Sequence, residues 1–552
     1  MPECLGRGRI RMSLIVLSLA ACGSGGGPRS PKPTDAPAPV SPVPTPTPGP
    51  KPVPVPVPTT TKPWDCSQVT LTRAWELGSF ADQEMNLLAP MPGGDMIVVG
   101  DTYGEVDFGD GVVAQSLDGD DLVVARIRPD GVASWARVIS GGAFTPEALA
   151  VDASGNIAVG GRFTSFLLFE PGTPGSVRIT GDRTLSGFVA VLTGSGDLDW
   201  ARTIQHEIAT ESVDALAFDA VGGLWLSGSF NGTDATISFG EADAVAITGG
   251  DSDPNDDDAW LAHYDANGAL LGVAYVVGEE DQEGLHVAAR PAGGVDWGVF
   301  HMGTGESVVD IPRGQQPVPT PGTYALVRFD GSGAQTDSLG LPGTILGLGY
   351  QATDLLLLTQ YVSLPATFPS WEASPPLDLV PGVDGDHFEG LVRWAGGAGG
   401  VTSELVSWSL LTNHLFASNL GRAISGQLAG DWVLLPESWK LELEDEGEYS
   451  DGDARPMAIA WDPSGAWACA VDIEYTGDSA TASRAPKAIA LDEAGGLWIA
   501  GEFNADVFTF ESYPGGPPAA ILEATKGEET QGYLARWQLW PGPASGTTTG
   551  TP

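Results

Sequence analysis

Carboxylates grouped in loops are the residues of this 552-residue sequence best placed to do chemistry. The densest group is Asp251-Ser-Asp253-Pro-Asn255-Asp-Asp257-Asp258. Asp251, Asp253, Asn255 and Asp257 offer oxygens at alternating positions, the donor type a hard cation such as Ca²⁺ takes. The loop lacks the glycine and the bidentate glutamate of an EF-hand, so a solvated acidic loop is the first expectation and a Ca²⁺ site the second. Further acids recur in comparable places: Asp120 and Asp121, Glu283, Asp384 and Asp386, Asp451 and Asp453. Two neighbouring carboxylates are also what glycan hydrolysis needs. With 71 acidic residues, such a pair arises by chance, so the pattern alone is weak support for an enzyme. No Gly-x-Ser-x-Gly elbow, His-Glu-x-x-His pair or P-loop is present. His206, His263, His286, His301, His387 and His414 show no metal-ligand spacing. No cofactor is expected beyond that Ca²⁺.

The formal charge of −45 repels phosphate backbones and excludes nucleic acid as a partner. Cations and basic partners are the permitted ligands. The first residues predict a signal peptide: Arg7, Arg9 and Arg11 precede a short apolar core, Leu14–Leu19. Leu19-Ala20-Ala21-Cys22, followed by Gly23-Ser24-Gly25, resembles a bacterial lipobox. That resemblance implies removal of residues 1–21 and a lipid on Cys22, giving stable membrane attachment. Gly23 after the cysteine, by resemblance to Gram-negative lipoproteins, implies the outer membrane or cell surface. Residues 22–64 are expected to be a Pro-rich disordered linker, and residues 541–552 a disordered tail. Cys66 and Cys469 remain in the mature chain as candidates for a disulfide.

The elements that position the acids come from a repeat. Ala148-Leu-Ala-Val-Asp152-Ala-Ser-Gly155-Asn-Ile-Ala-Val-Gly160 has the alternation and turn of a β-hairpin. It recurs at Ala215–Gly228 and Ala488–Gly501, and in weaker form at Leu87–Gly100, Val287–Gly298, Leu348–Thr359 and Phe416–Gly426. After each comes an apolar strand ending in Ile127, Leu192, Tyr264, Phe329, Trp394, Trp461 or Trp537, 65 to 76 residues apart. A turn and a fourth strand follow most of these, as in Trp135-Ala-Arg and Trp200-Ala-Arg. Seven units of four strands, A to D, result. The seventh lacks strand D, whereas Leu71-Thr-Arg-Ala-Trp75-Glu-Leu supplies one at the front. Residues 65–540 are therefore expected to be an all-β, seven-bladed β-propeller of four-stranded antiparallel blades, closed by its N-terminal strand. Trp225, Trp297 and Trp498 on B strands are core candidates first and sugar-stacking platforms second. The B–C and D–A loops, which hold the acids, share one face.

The Asp-x-x-Gly turns, the ends Gly160-Gly161-Arg-Phe163, Gly228-Ser-Phe230 and Gly501-Glu-Phe503, and the Trp-Ala-Arg strands resemble the seven-bladed repeats of bacterial cell-surface proteins often called SBBP-like. The resemblance spans roughly residues 66–539 and implies no catalytic residues. The function expected is that of a monomeric, lipid-anchored module that binds a protein or glycan, or shapes the envelope. A polymer-acting hydrolase or lyase and a Ca²⁺-stabilised adhesion module are the alternatives.

Overall fold

Short runs of alternating or fully apolar residues, broken by Asp-x-x-Gly turns, make this an all-β chain. The computed structural model describes residues 70–77, 82–116, 121–181, 185–205, 211–231, 256–277, 281–301, 324–351, 486–503 and 530–538, with shorter strands and turns between them. All belong to one compact unit, Thr59–Pro552; Met1–Pro58, the other unit, lies outside the described residues, as does Cys22. No helix occurs among the described residues, and hence none long and apolar enough to cross a membrane.

The strands fall into seven antiparallel groups in A-B-C-D order. The first is Gln83–Pro90, Met96–Thr102, Asp121–Ile127 and Ala133–Gly141. The second is Phe144–Val151, Ile157–Phe163, Ser186–Leu192 and Leu198–Ile204. Ala215–Phe218, Leu224–Asn231, Asp257–Tyr264 and Leu270–Val277 form the third. The fourth holds Gln282–Ala289, Val295–His301, Tyr324–Phe329 and Gln335–Leu341. In the fifth, Thr344–Gln351, Asp354–Tyr361 and Phe388–Trp394 are followed by Val401–Ser403. The sixth shows B, C and D strands, Trp432–Leu435, Met457–Trp461 and Trp467–Thr476. Its B strand starts further along the chain than the Phe416–Gly426 copy implies, and that copy lies outside the described residues.

The seventh group joins the two ends of the domain. Pro486–Leu491, Gly496–Phe503 and Gln531–Gln538 are completed by Thr70–Leu77, which pairs antiparallel with the last strand, Ala74 opposite Ala535. Further bonds tie this sheet to the first. Arg73 Nη1 donates to the Asp130 carbonyl at 2.9 Å, Thr530 N to Asp82 Oδ1 at 2.7 Å, and Gln83 N to the Thr530 carbonyl at 2.9 Å. Neighbouring A strands pack in series: Pro486–Leu491 on Gln83–Pro90, then Phe144–Val151, Ala215–Phe218, Gln282–Ala289 and Thr344–Gln351.

Each unit is larger than four strands. Between B and C stands a further two-stranded hairpin, as in Glu105–Asp107 with Val113–Gln115, Phe166–Phe169 with Val177–Thr180, and Val507–Glu511 with Pro518–Glu523. The sequence reading took these segments for acidic loops. Their strands are mostly only two to five residues long, too short to show a clear period, and only the odd inward residue such as Val106 is buried. Three of them add onto the D strand of the preceding unit: Phe166–Phe169 onto Ala133–Gly141, Val308–Asp310 onto Leu270–Val277, and Val507–Glu511 onto Trp467–Thr476. This covers outer edges that would otherwise offer unpaired backbone groups.

A Trp and an Arg two residues apart on the D strands, Trp-Ala-Arg in the first two units and Arg-Ala-Trp in Thr70–Leu77, explain how adjacent units lock. Arg73, Arg137 and Arg202 lie over the rings of Trp75, Trp135 and Trp200, 5.0 to 5.5 Å from their centres. Trp135 Nε1 and Arg137 Nη2 donate to the carbonyls of Gly194 and Ser195, in the C–D turn of the next unit. Gly196 in that turn has φ +83°, and a side chain there would meet the Trp135 ring at 2.9 Å. Gly196→Ala is thus expected to cost about 2–4 kcal/mol, from backbone strain plus collision. Gly172→Ala, with φ +80° and open space around it, should cost about 1 kcal/mol. Paired urea titrations measure the difference.

Candidate functional site

The A strands begin where the B strands end, so two sets of residues meet at one rim of the domain. The backbone prepares this rim. Each well-paired A strand carries a bulge, falling at Asn86, Glu147, Leu285, Leu346 and Lys487. Asp214 holds the corresponding place in the third unit, next to the Ala215–Ser227 pair. A bulge turns its own side chain out of the regular alternation. It also turns a carbonyl toward the facing B-strand glycine, which belongs to Gly-x-Phe in the second and third units and to Gly100-Asp-Thr102 in the first. A Cβ at Gly100, Gly161 or Gly228 would collide with the carbonyl of Glu84, Thr145 or Ser212. The B-strand glycine is therefore needed for close backbone approach.

The residue after that glycine receives the bulged side chain. Asn86 Nδ2 donates to Asp101 Oδ1 at 2.6 Å. Arg162 Nε lies 3.4 Å from Glu147 Oε1, and Lys487 Nζ 3.4 Å from Glu502 Oε1. Ser212 Oγ and Ser229 Oγ donate to Asp214 Oδ2 at 3.0 and 3.5 Å. Glu147 and Glu502 are 6% and 4% exposed, so these are built contacts and not a solvated fringe.

Contacts between units then link the pairs. The carboxyl of Glu84 is hydrogen-bonded to that of Glu502 in the seventh unit. Burial, and then the bond and charge of Glu502, push Glu84 up to about 8. Asp214 is hydrogen-bonded to Glu147 of the second unit and is raised well above the usual range, by burial and then by the Glu147 charge. Asp257 is raised by burial and by Asp281; Glu283 is raised by burial, Asp257 and Asp281. Asp281 Oδ1 also accepts the Asp257 backbone N–H at 3.2 Å.

The structure thus brings together Asp257, from the candidate Ca²⁺ loop, and Glu283, from the ligand-face set. Asp121 has a different environment: it is fully buried and accepts hydrogen bonds from Ser140 Oγ at 3.1 Å and Gly141 N at 3.3 Å. Asp120, Asp251, Asp253, Asn255, Asp384, Asp386, Asp451, Asp453 and Cys66 lie outside the described residues, and Cys469 sits on Trp467–Thr476. Among the described residues, no group of three His, Cys, Asp or Glu is arranged to hold a metal. Glu147, Asp214, Lys487 and Glu502 were missed by the sequence reading. Their signal was present: Glu147, Asp214 and Lys487 each stand immediately before the Ala-Leu-Ala or Ala-Ile-Ala that opens a hairpin.

The opposite end of the units is a packing device. In the third and seventh units the Asp of the hairpin turn accepts from its own turn and from a C-strand residue. Asp492 Oδ2 takes Arg536 Nη2 at 2.8 Å and Trp498 Nε1 at 2.9 Å. Asp95 pairs with Arg126 at 2.6 Å, and Asp296, from the B strand itself, with Arg328 at 2.7 Å. In the third unit His263 Nε2 lies 3.1 Å from Asp219 Oδ2, and its ring stacks on Trp225 at 3.8 Å. Burial alone would raise Asp219; the bonds from His263 and from the Val221 and Gly223 amides hold it below the usual range. Trp225, Trp297 and Trp498 are at most 2% exposed, so they are core residues and offer no face to a sugar. Burial pushes His286 down to about 4, beside the Ile345 carbonyl.

No protein-family model and no curated protein matches the sequence. Among solved structures, BamB from Moraxella catarrhalis aligns at 12% identity and a TM-score of 0.28, over 85% of this chain and 99% of that one. A D477G ACO/RPE65 chimera aligns at 10% identity and a TM-score of 0.24, over 84% of this chain and 94% of that one. Both TM-scores are low, and the fold described above stands on the chain's own strand pairing.

Proposed function

We propose that the chain is a lipid-anchored, seven-bladed β-propeller of the cell surface or outer membrane that binds a cationic protein or glycan partner through its acidic face. The ring is supported by the series of packed A strands and by Thr70–Leu77 completing the last sheet. The anchor is supported by the Leu19-Ala20-Ala21-Cys22 motif and the Pro-rich spacer behind it. Binding is the better reading than catalysis because the rim carboxyls are engaged with each other and with Asn86, Arg162, Ser212 and Lys487. The observation that carries the choice of face is the meeting of Asp257, Asp281 and Glu283 from different segments at the loop-bearing rim.

The experiment is capture from envelope extracts and on a glycan array, using the full-length chain and an Asp257→Asn/Asp281→Asn/Glu283→Gln variant. Loss of a salt-sensitive ligand in the variant is expected. Equal capture by both proteins would move the site elsewhere. Loss of capture on chelation would favour the Ca²⁺-dependent reading. Labelled fatty acid should enter the wild type and not Cys22→Ser.

A further inference from the structure

We propose that the rim carboxyls form a pH-sensitive clasp: Glu84 with Glu502, between the first and seventh sheets, and Glu147 with Asp214, between the second and third, hold neighbouring sheets together while each pair shares one proton, and loosen them when both members ionise. The geometry leads to this directly. Two carboxyls hydrogen-bonded to each other need a proton on one of them, since an ionised carboxylate only accepts. Each pair joins two sheets that meet through their inner strands, Gln83–Pro90 against Gly496–Phe503 and Phe144–Val151 against Ala215–Phe218. The first pair also lies where the end of the domain meets its beginning, beside the bonds of Thr530 with Asp82 and Gln83.

The surroundings set how each pair titrates. Glu84 is faced by Glu502, by the charge of Asp101 on its own sheet, and by Lys487, which opposes them. Lys487 contacts Glu502, whose charge also bears on the buried Tyr533. Asp214 is faced by Glu147, Ser212 and the more distant Glu283, while Arg162 sits on Glu147. One cation per pair offsets one negative charge and leaves the second exposed to repulsion at contact distance. The folded state therefore holds protons that the unfolded chain releases at the ordinary carboxylate range. For Glu84 that difference spans from 4.5 to about 8. Stability from this source is complete below the lower limit and is lost as pH rises through the window.

The test is the urea midpoint of the full-length chain against pH at constant ionic strength, with hydrogen exchange of the 83–90 and 486–491 segments. The wild type is expected to lose midpoint between pH 5 and pH 9, and exchange in both segments to rise at least tenfold beyond its intrinsic pH dependence. Glu84→Gln keeps a hydrogen-bond donor without a titrating proton, so it should flatten the profile and exceed the wild type at pH 9. Asp214→Asn should do the same for the second pair. Glu105→Gln, an exposed control that removes the same charge, should follow the wild type. Should Glu84→Gln fail to fold, Glu502→Gln reports on the same proton. A wild-type midpoint that does not fall, or Gln and Asn variants that fall as steeply as Glu105→Gln, would overturn the clasp.

Discussion

Moving residues 65–77 from the front of the domain to follow Gln538, through a short Asp-Gly turn, is expected to preserve folding, whereas deleting them is expected to abolish it. In the first four units the D strand follows C through a tight turn such as Arg128–Val132, whose Arg128 amide bonds the Val132 carbonyl. The seventh unit receives the same strand from the other end of the chain, in the same antiparallel pairing. Deletion turns Gln531–Gln538, almost wholly buried, into an open edge. It also removes fully buried Leu77 and the edge-on contact of Trp75 with Trp498, 5.9 Å between ring centres. Losing one buried Leu and one packed Trp costs about 5 kcal/mol or more, which matches the whole stability of many domains. Circular dichroism and urea titration of both proteins give the answer. A deletion that unfolds at the wild-type midpoint would show that the strand is dispensable.

Asp492→Ala is expected to lower stability by about 3–5 kcal/mol, because it leaves the guanidinium of Arg536 buried without its partner. Asp492 is 5% exposed and accepts from two turn amides, Trp498 Nε1 and two nitrogens of Arg536. Asp152 provides the comparison. It occupies the same turn position and accepts from the Ser154 and Asn156 amides and from Asn156 Nδ2, without a cation. Asp152→Ala should cost about 1–2 kcal/mol, the loss of local bonds alone. Equal losses at the two positions, read from urea midpoints, would mean that the buried ion pair adds nothing.

Strand order was legible in the sequence because Ile127, Leu192, Tyr264, Phe329, Trp394 and Trp461 terminate C strands as the spacing predicts. All six are apolar or aromatic, and Ile127, Leu192, Tyr264, Phe329 and Trp394 are at most 2% exposed, so core packing keeps the period visible. The displaced D strand was legible for the same reason: Trp75 repeats the pattern of Trp135 and Trp200. The inserted hairpins were not, since strands such as Glu105–Asp107 bury a single residue each. At the site, composition pointed to the acidic face, yet it weighted the exposed loops over the rim. Glu147 and Glu502 stand alone in the sequence between apolar residues, and only the bulged A strands bring them to Asp214 and Glu84. Asp121 shows the reverse. It belongs to an acidic run, yet its buried carboxylate accepts from the end of the adjoining D strand, at Ser140 and Gly141.

The pairing of Thr70–Leu77 with Gln531–Gln538, on which the proposed ring rests, is tested most directly by cross-linking Ala74→Cys to Ala535→Cys in a Cys66→Ser/Cys469→Ser background. Directly opposed residues of antiparallel strands lie about 4.5–5.5 Å apart, inside the span a disulfide bridges. Peptide mass mapping of the oxidised, folded protein should find residue 74 joined to residue 535 in high yield, and little product from Ala74→Cys with Tyr533→Cys. Absence of the first link, or equal yields from both pairs, would contradict the pairing of the first strand with the last.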